Sequence, residues 1–187
     1  MSTRTWENLT VPAPGTYAID ATHTHIGFVA KHMMFTKVRG YFGGFSGSVT
    51  IGENPLESSA ELTIQANTIE TGMPDRDNHL RSDDFLSVDK FPEITFKSTR
   101  VVGHSGSDFT VVGDLTIRDV TKEVELNVEY GGVGTNPWGV QVWGFSITTE
   151  IDRELFGLTW NQALETGGVL VGKKIKIEIE GEANPAA

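Results

Sequence analysis

The sequence predicts an all-β fold, a single antiparallel barrel of about eight strands with one or two short helices in its connections, and three observations support it. Apolar and polar residues alternate with period 2 through most of the chain, which puts one set of side chains on each face of a strand. Glycine-rich or charged turns separate these runs, and helix-period patterning is scarce. Eight or nine strands fit a closed barrel, with a two-sheet sandwich as the competing architecture.

In the first half, "GTYAID", "HIGFVAKHMMF", "VRGYFGGFSGSVTIG" and "SSAELTIQA" read as strands, and "EITFKSTRVVG" sets Ile94, Phe96 and Val102 on one face. "DFTVVGDLTIRD" places Phe109, Val111, Leu115 and Ile117 together. After the bend at "DVTK", Val124, Leu126, Val128 and Tyr130 repeat the device, giving an antiparallel hairpin with one wet face. "GGVGTN" is a turn, and "WGVQVWGFSITTEI" reads as a strand with apolar or aromatic residues on both faces. The last strand, "VLVGKKIKIEIEGEA", turns Ile175, Ile177 and Ile179 away from its lysines and glutamates and is positioned to close the sheet. A short helix is expected across 75–86, and a shorter piece around "RELFG" or "NQALE". "ENLTVPAPG" and "EANPAA" read as loose termini, so a single domain spanning 1–187 has its ordered core at about 15–182.

A chain of 187 residues, 38% hydrophobic and 21% charged, has the composition of one globular domain. Such a domain buries roughly 70% of the surface its unfolded chain exposes, so it needs neither disulfide nor metal to stay folded. The net charge of −10 argues against nucleic acid, whose phosphates call for a basic surface. There is no cysteine, hence no thiolate chemistry. The first residues carry no apolar signal-peptide core, which gives a cytoplasmic expectation. No apolar run approaches the roughly 20 residues of a membrane-spanning helix, so no transmembrane anchor is expected and any contact with lipid is that of a carrier or binder.

Catalytic and metal patterns are weak. "HTH" puts His23 and His25 on one side of an extended segment, but Val29 stands where a cupin-type site places a carboxylate, and the offset from His25 to His32 is odd. No nucleophile elbow and no phosphate-binding glycine loop is present, so no catalytic residue, metal or nucleotide cofactor is expected. "RDNHLRSDDF" gathers charge, yet its acids and bases can pair with one another as a structural connection. Its functional reading is a polar mouth in which Arg76, His79 and Arg81 hold a ligand head group. The aromatic residues either fill a core or line a cavity. Small residues interrupt the apolar faces, as at Gly113 between Val111 and Leu115, which permits a bend or leaves a lumen.

The ordered series "YAID", "HTHIGF", "KHMMFTKVRGYFGGFSG", "RDNHLRSDDFLSVDKFPEITFKST", "VVGDLTIRDVTKEVEL" and "IDRELFGL" resembles the YceI-like family of bacterial polyisoprenoid-binding proteins, from about Tyr17 to Glu182. The resemblance implies an extended, lipocalin-like barrel of eight strands whose lumen holds a long isoprenoid chain or isoprenoid quinone. It also implies a possible homodimer. Relatives are often exported, whereas this chain opens without a leader pattern. The expected ligand-binding set is Phe28, His32, Phe42, Phe45, Arg76, His79, Arg81, Phe85, Phe96, Phe109, Leu115 and Phe145. The expected role is non-enzymatic binding, sequestration or transport of a long-chain apolar lipid, with no cofactor beyond it. Two alternatives stay open: an enzyme using His79 with Asp77 or Asp83 as acid and base, and a solid-core barrel whose outer aromatic face at 138–147 forms an interaction surface.

Overall fold

The computed structural model describes residues 3–186. In chain order the strands are β1 (Thr3–Trp6), β2 (Leu9–Pro12), β3 (Gly15–Ile19), β4 (His25–His32), β5 (Thr36–Phe42), β6 (Phe45–Ile51), β7 (Ser59–Gln65) and β8 (Ile69–Glu70). Helix α1 (Pro74–Arg81) follows, then β9 (Glu93–Ser105), β10 (Asp108–Ile117), β11 (Val120–Thr135), β12 (Gln141–Asp152) and β13 (Val171–Pro185). Three long staves are each broken once, as β3 with β4, β5 with β6 and β7 with β8. Eight staves therefore pair in sequence order as an up-and-down antiparallel meander.

Closure decides between barrel and sandwich. One edge of β13 pairs with β12 from Asp152↔Lys174 to Trp143↔Ala183. Its other edge pairs with β4, as at Ile177↔Phe28, and with β3, as at Ala183↔Ile19. The first and last staves are thus joined, and the ring has no free edge.

The break between β3 and β4 is a local side-chain device. The Asp20 carboxylate accepts hydrogen bonds from the Thr22 amide at 2.8 Å, the Thr22 hydroxyl at 2.7 Å and the His23 ring at 2.8 Å. These bonds, His23 first and Thr22 next, hold Asp20 down at about 2, while Asp20 pushes the His23 imidazole up. Between β5 and β6 the stave bends at Gly43 and Gly44, where the Gly44 amide donates to the Thr68 hydroxyl at 2.9 Å.

The connections sort into two ends. At one, the plug end, the hairpin of β1 and β2 lies over the opening. Trp6 packs on His104 and Phe109, the Tyr130 hydroxyl donates to the Thr10 carbonyl at 2.8 Å, and Val11 is buried. Burial pushes the Tyr130 phenol up to about 12. Residues 3–12 are therefore a packed element rather than a loose terminus, and at the other terminus β13 runs to Pro185 with Ala183 wholly buried. The opposite, helix end carries α1, the β4–β5 turn and the long 153–170 connection.

Pro74 opens α1, Asp75 and Asp77 sit in its first turn, and His79 and Arg81 in its last, as a helix dipole favours. The helix ends at Arg81 because the Ser82 amide and hydroxyl both turn back onto the His79 carbonyl. "RELFG" forms a single 3₁₀ turn, Arg153–Phe156, closed by left-handed Gly157. "NQALE" is not helical: Ala163 makes an antiparallel bridge to Val169. Strand β12 also departs from expectation, since Trp143, Phe145, Ile147 and Ile151 all face inward, and the outward positions between them are Gly144, Ser146, Thr148 and Glu150.

The Asp20–His23 contact predicts a window of pH-dependent stability. A depressed carboxylate contributes fully above its unfolded value of about 4, and this contribution is lost as pH falls toward about 2. A raised histidine contributes below about 6.5 and loses its contribution as pH rises through its folded value. Thermal melts of the wild type and Asp20→Asn across the acid range should differ most between about pH 4 and 6.5 and converge near pH 2.

Candidate functional site

The staves enclose a cavity of about 370 Å³, within the range of roughly 300–1,000 Å³ usual for ligand sites. Its wall is built from the inward phase of each strand. Ile26, Phe28 and Ala30 of β4 meet Ile175, Ile177 and Ile179 of β13, and Val124, Leu126 and Val128 of β11 face in the same way. The period-2 faces read from the sequence on β10, β11 and β13 are these lumen faces. A hollow interior of this kind is incompatible with a solid-core barrel.

Glycines keep the lumen open by a route the sequence did not disclose. Phe28 stands directly opposite Gly40, and Phe145 directly opposite Gly181. Phe96 lies diagonal to Gly113 across the β9–β10 pair. A Cβ at Gly40 would stand 2.7 Å from Cε1 of Phe28, at Gly113 2.6 Å from Cε2 of Phe96, and at Gly181 2.7 Å from Cζ of Phe145. Each ring therefore rests over a glycine of the neighbouring strand, against the wall instead of across the space. Gly113 also sits at a register shift, so it bends the strand as well.

The two ends close differently. Val11 and Pro12 of the terminal hairpin reach the lumen at the plug end, and Leu80, Phe85 and Leu86 reach it from the helix end. Arg153, only 3% exposed, ties the helix-end connections to the start of β13. Its guanidinium donates to the carbonyls of Gly172 at 2.9 Å, Trp160 at 3.0 Å and Leu158, and burial pushes its pKa down.

Of the residues expected to bind ligand, Phe28, Phe42, Phe85, Phe96, Phe109, Leu115 and Phe145 line the lumen. Phe45 packs against the core from a partly buried position, and His32 sits half-buried at the end of β4, outside the lining. Arg76, His79 and Arg81 also lie outside it, because their donors are engaged locally. Arg76 donates to the Thr71 hydroxyl and carbonyl at 2.7 and 2.9 Å, and Arg81 to the carbonyls of Asn67 and Ile69 at 2.7 and 2.8 Å. His79 is bonded to Asp84 at 2.8 Å, with its ring between Phe85 and Trp160. Asp77 is buried and accepts from Thr71, while Asp83 holds Ser87 and Lys90. The charged run is a clamp that folds the helix-end connection.

Lining residues missed earlier include Ile26, Trp143, Arg153 and Leu158. For Ile26 and Trp143 the signal was their strand phase, whereas Arg153 and Leu158 lie in an irregular connection with none. Asp20, His23 and Glu182 bring three possible metal-ligand atoms within 4.8 Å of one another, a grouping the sequence did not suggest because Glu182 comes from the far end of the chain.

A closed eight-stranded meander around an apolar lumen defines the class: a hollow up-and-down β-barrel with an apolar interior space. A model of the YceI-like domain matches residues 17–183, and the chain belongs to that family. It is 43% identical over 168 residues to a UPF0312 protein of Staphylococcus aureus strain USA300, covering 89% of this chain and 95% of that one. A YCEI protein of Campylobacter jejuni superposes with a TM-score of 0.72 at 30% identity, covering 84% of this chain and 90% of the other. A domain from Saccharophagus degradans, described as polyisoprenoid-binding, shares the fold with a TM-score of 0.67 at 14% identity over 91% of this chain and 98% of its own.

Two substitutions probe the wall and its fastening. Gly113→Ala, which must displace both the Phe96 ring and the Lys97 carbonyl, should lower stability by about 1–3 kcal/mol in urea unfolding, the usual effect of overpacking. Arg153→Lys cannot serve the same spread of carbonyls with one ammonium, and should cost about 2–3 kcal/mol in the same assay.

Proposed function

We propose that the protein binds a long-chain polyisoprenoid or isoprenoid quinone in its lumen and sequesters or carries it without chemically altering it. The single observation that supports this best is the apolar cavity running between the two ends, with its aromatic rings held back over glycines. Membership of a family with a structural neighbour described as a polyisoprenoid-binding domain points to the same ligand class. At about 0.8 kcal/mol per buried methylene, a few isoprene units supply enough gross affinity to offset ordering the chain, so the wall needs no directional contacts.

An enzymatic reading through His79 gains little from the geometry, since its ring packs edge-on against Phe85 and Trp160 and its Nε2 already holds Asp84. His79→Ala is expected to retain lipid uptake.

Solvent extraction of the purified protein followed by mass spectrometry should recover an isoprenoid lipid, and lipid-free protein should take up a polyprenol or a menaquinone. Ala30→Trp, which fills the lumen near the helix end, should reduce that uptake roughly tenfold while leaving the circular dichroism spectrum unchanged. Protein repeatedly recovered empty, and unable to take up either probe, would refute the proposal.

A further inference from the structure

The β4–β5 turn is an exposed apolar tip. Met33, Met34 and Phe35 are 36%, 57% and 78% exposed, three consecutive residues at the end of a hairpin, where polar residues or glycine are the rule. Met33 and Met34 both hold positive φ, 51° and 70°, a conformation that Asn or Gly adopts with less strain. The tip is nonetheless fixed in place. The Phe35 amide donates to the His32 carbonyl at 3.3 Å, the Met33 amide to the Leu170 carbonyl at 2.8 Å, and the Met34 side chain lies against Gly168. Leu155, 62% exposed, stands on the 3₁₀ turn that Arg153 ties to Gly172, beside the start of the same β13 that pairs with β4.

The charge of this hairpin's own strands runs against that of the molecule. From Ala21 to Gly52 the sequence contains no Asp or Glu, in a chain with 25 acidic and 15 basic residues. Lys31 and Lys37 are directly opposed across the hairpin, one turn below the methionines, an arrangement of like charges that weakens a strand pair unless something acidic covers it. Among the described residues neither lysine has a carboxylate within ion-pair distance, and Arg39, the next outward position, reaches only Glu178 at 3.5 Å. The carboxylates at this end lie on the other connections. Asp83 and Asp84 are paired in the α1 segment, Asp77 is buried there, Glu154 holds Lys173, and Glu165 is exposed on the 164–168 turn whose Gly168 meets Met34. An apolar knuckle flanked by uncompensated lysines matches the interface of a bilayer with anionic head groups, where apolar insertion and basic attraction act together.

The lumen approaches the same place. Its lining includes Ala30, the inward position next below His32 on β4, and Val171, which pairs with His32. The opposite end lies beneath the terminal hairpin.

We propose that the Met33–Phe35 tip, with Lys31 and Lys37, docks the barrel on an anionic lipid bilayer and sets the nearby end of the lumen against it for lipid exchange. The docking surface stands on the hairpin's own residues, while its purpose rests on the reading of the lumen as a polyisoprenoid site.

The full chain would be sedimented with vesicles of phosphatidylcholine alone and with about 30% phosphatidylglycerol. Because the net charge of −10 repels an anionic surface overall, binding that rises with phosphatidylglycerol and falls in high salt reports a local patch. Two double variants, Lys31→Glu with Lys37→Glu and Met34→Ser with Phe35→Ser, should each lower vesicle partitioning about tenfold while the melting temperature and polyprenol uptake stay at wild-type levels. Absence of wild-type binding, or binding that both variants retain, overturns the docking proposal. A self-association abolished by Phe35→Ser without vesicle binding also overturns it and assigns the tip to a second copy of the chain. Vesicle binding by a protein that takes up no polyprenol upholds the docking surface and removes the lumen reading instead.

Discussion

Everything hollow about this molecule depends on β13 being paired along both edges. Opened at either seam, the sheet would have two free edges to cover or would have to stack on another sheet, and stacking would fill the interior with interdigitating side chains. Pairing with β12 on one side and with β3 and β4 on the other satisfies the backbone groups within the wall itself. The interior is then free of any obligation to supply hydrogen bonds, and it can be both apolar and open.

Openness needs a second condition, because phenylalanine rings pointing inward from neighbouring strands would otherwise meet across the lumen. Seating Phe28, Phe96 and Phe145 over Gly40, Gly113 and Gly181 gives each ring a partner surface on the wall. The rings retain much of their burial, and the glycines, weak strand residues by themselves, gain cover for their backbone. Near the helix end, Arg153 acts on the same principle with hydrogen bonds: several carbonyls left over by an irregular connection converge on one guanidinium.

The barrel was legible wherever side-chain period and burial coincide. Phe109, Leu115, Val124, Leu126 and the isoleucines of β13 alternate in the sequence and line the lumen in the structure. Register is a different matter, because one strand carries no mark of which residue will face it, so the pairing of phenylalanine with glycine could not be read. Arg76 and Arg81 misled for a related reason: their partners are mostly backbone carbonyls of 67–71, which leave no residue-specific trace in a sequence. The terminal hairpin was missed because its strands are four residues each, too short for alternation to show, and one proline ends the second strand while another follows two residues on.

That hairpin lies outside the span matched by the family model, and it sets Val11 and Pro12 against the lumen at the plug end. If the lumen holds a chain-like apolar ligand, as proposed, Val11 and Pro12 would limit how far its tail reaches toward the plug end. A molecule shorter than the lumen would draw its polar terminus inside, where desolvation penalises it, and a longer one would leave surplus methylenes in water. On that reading depth becomes a measure of length, and the four-residue strands β1 and β2 set the zero of the scale.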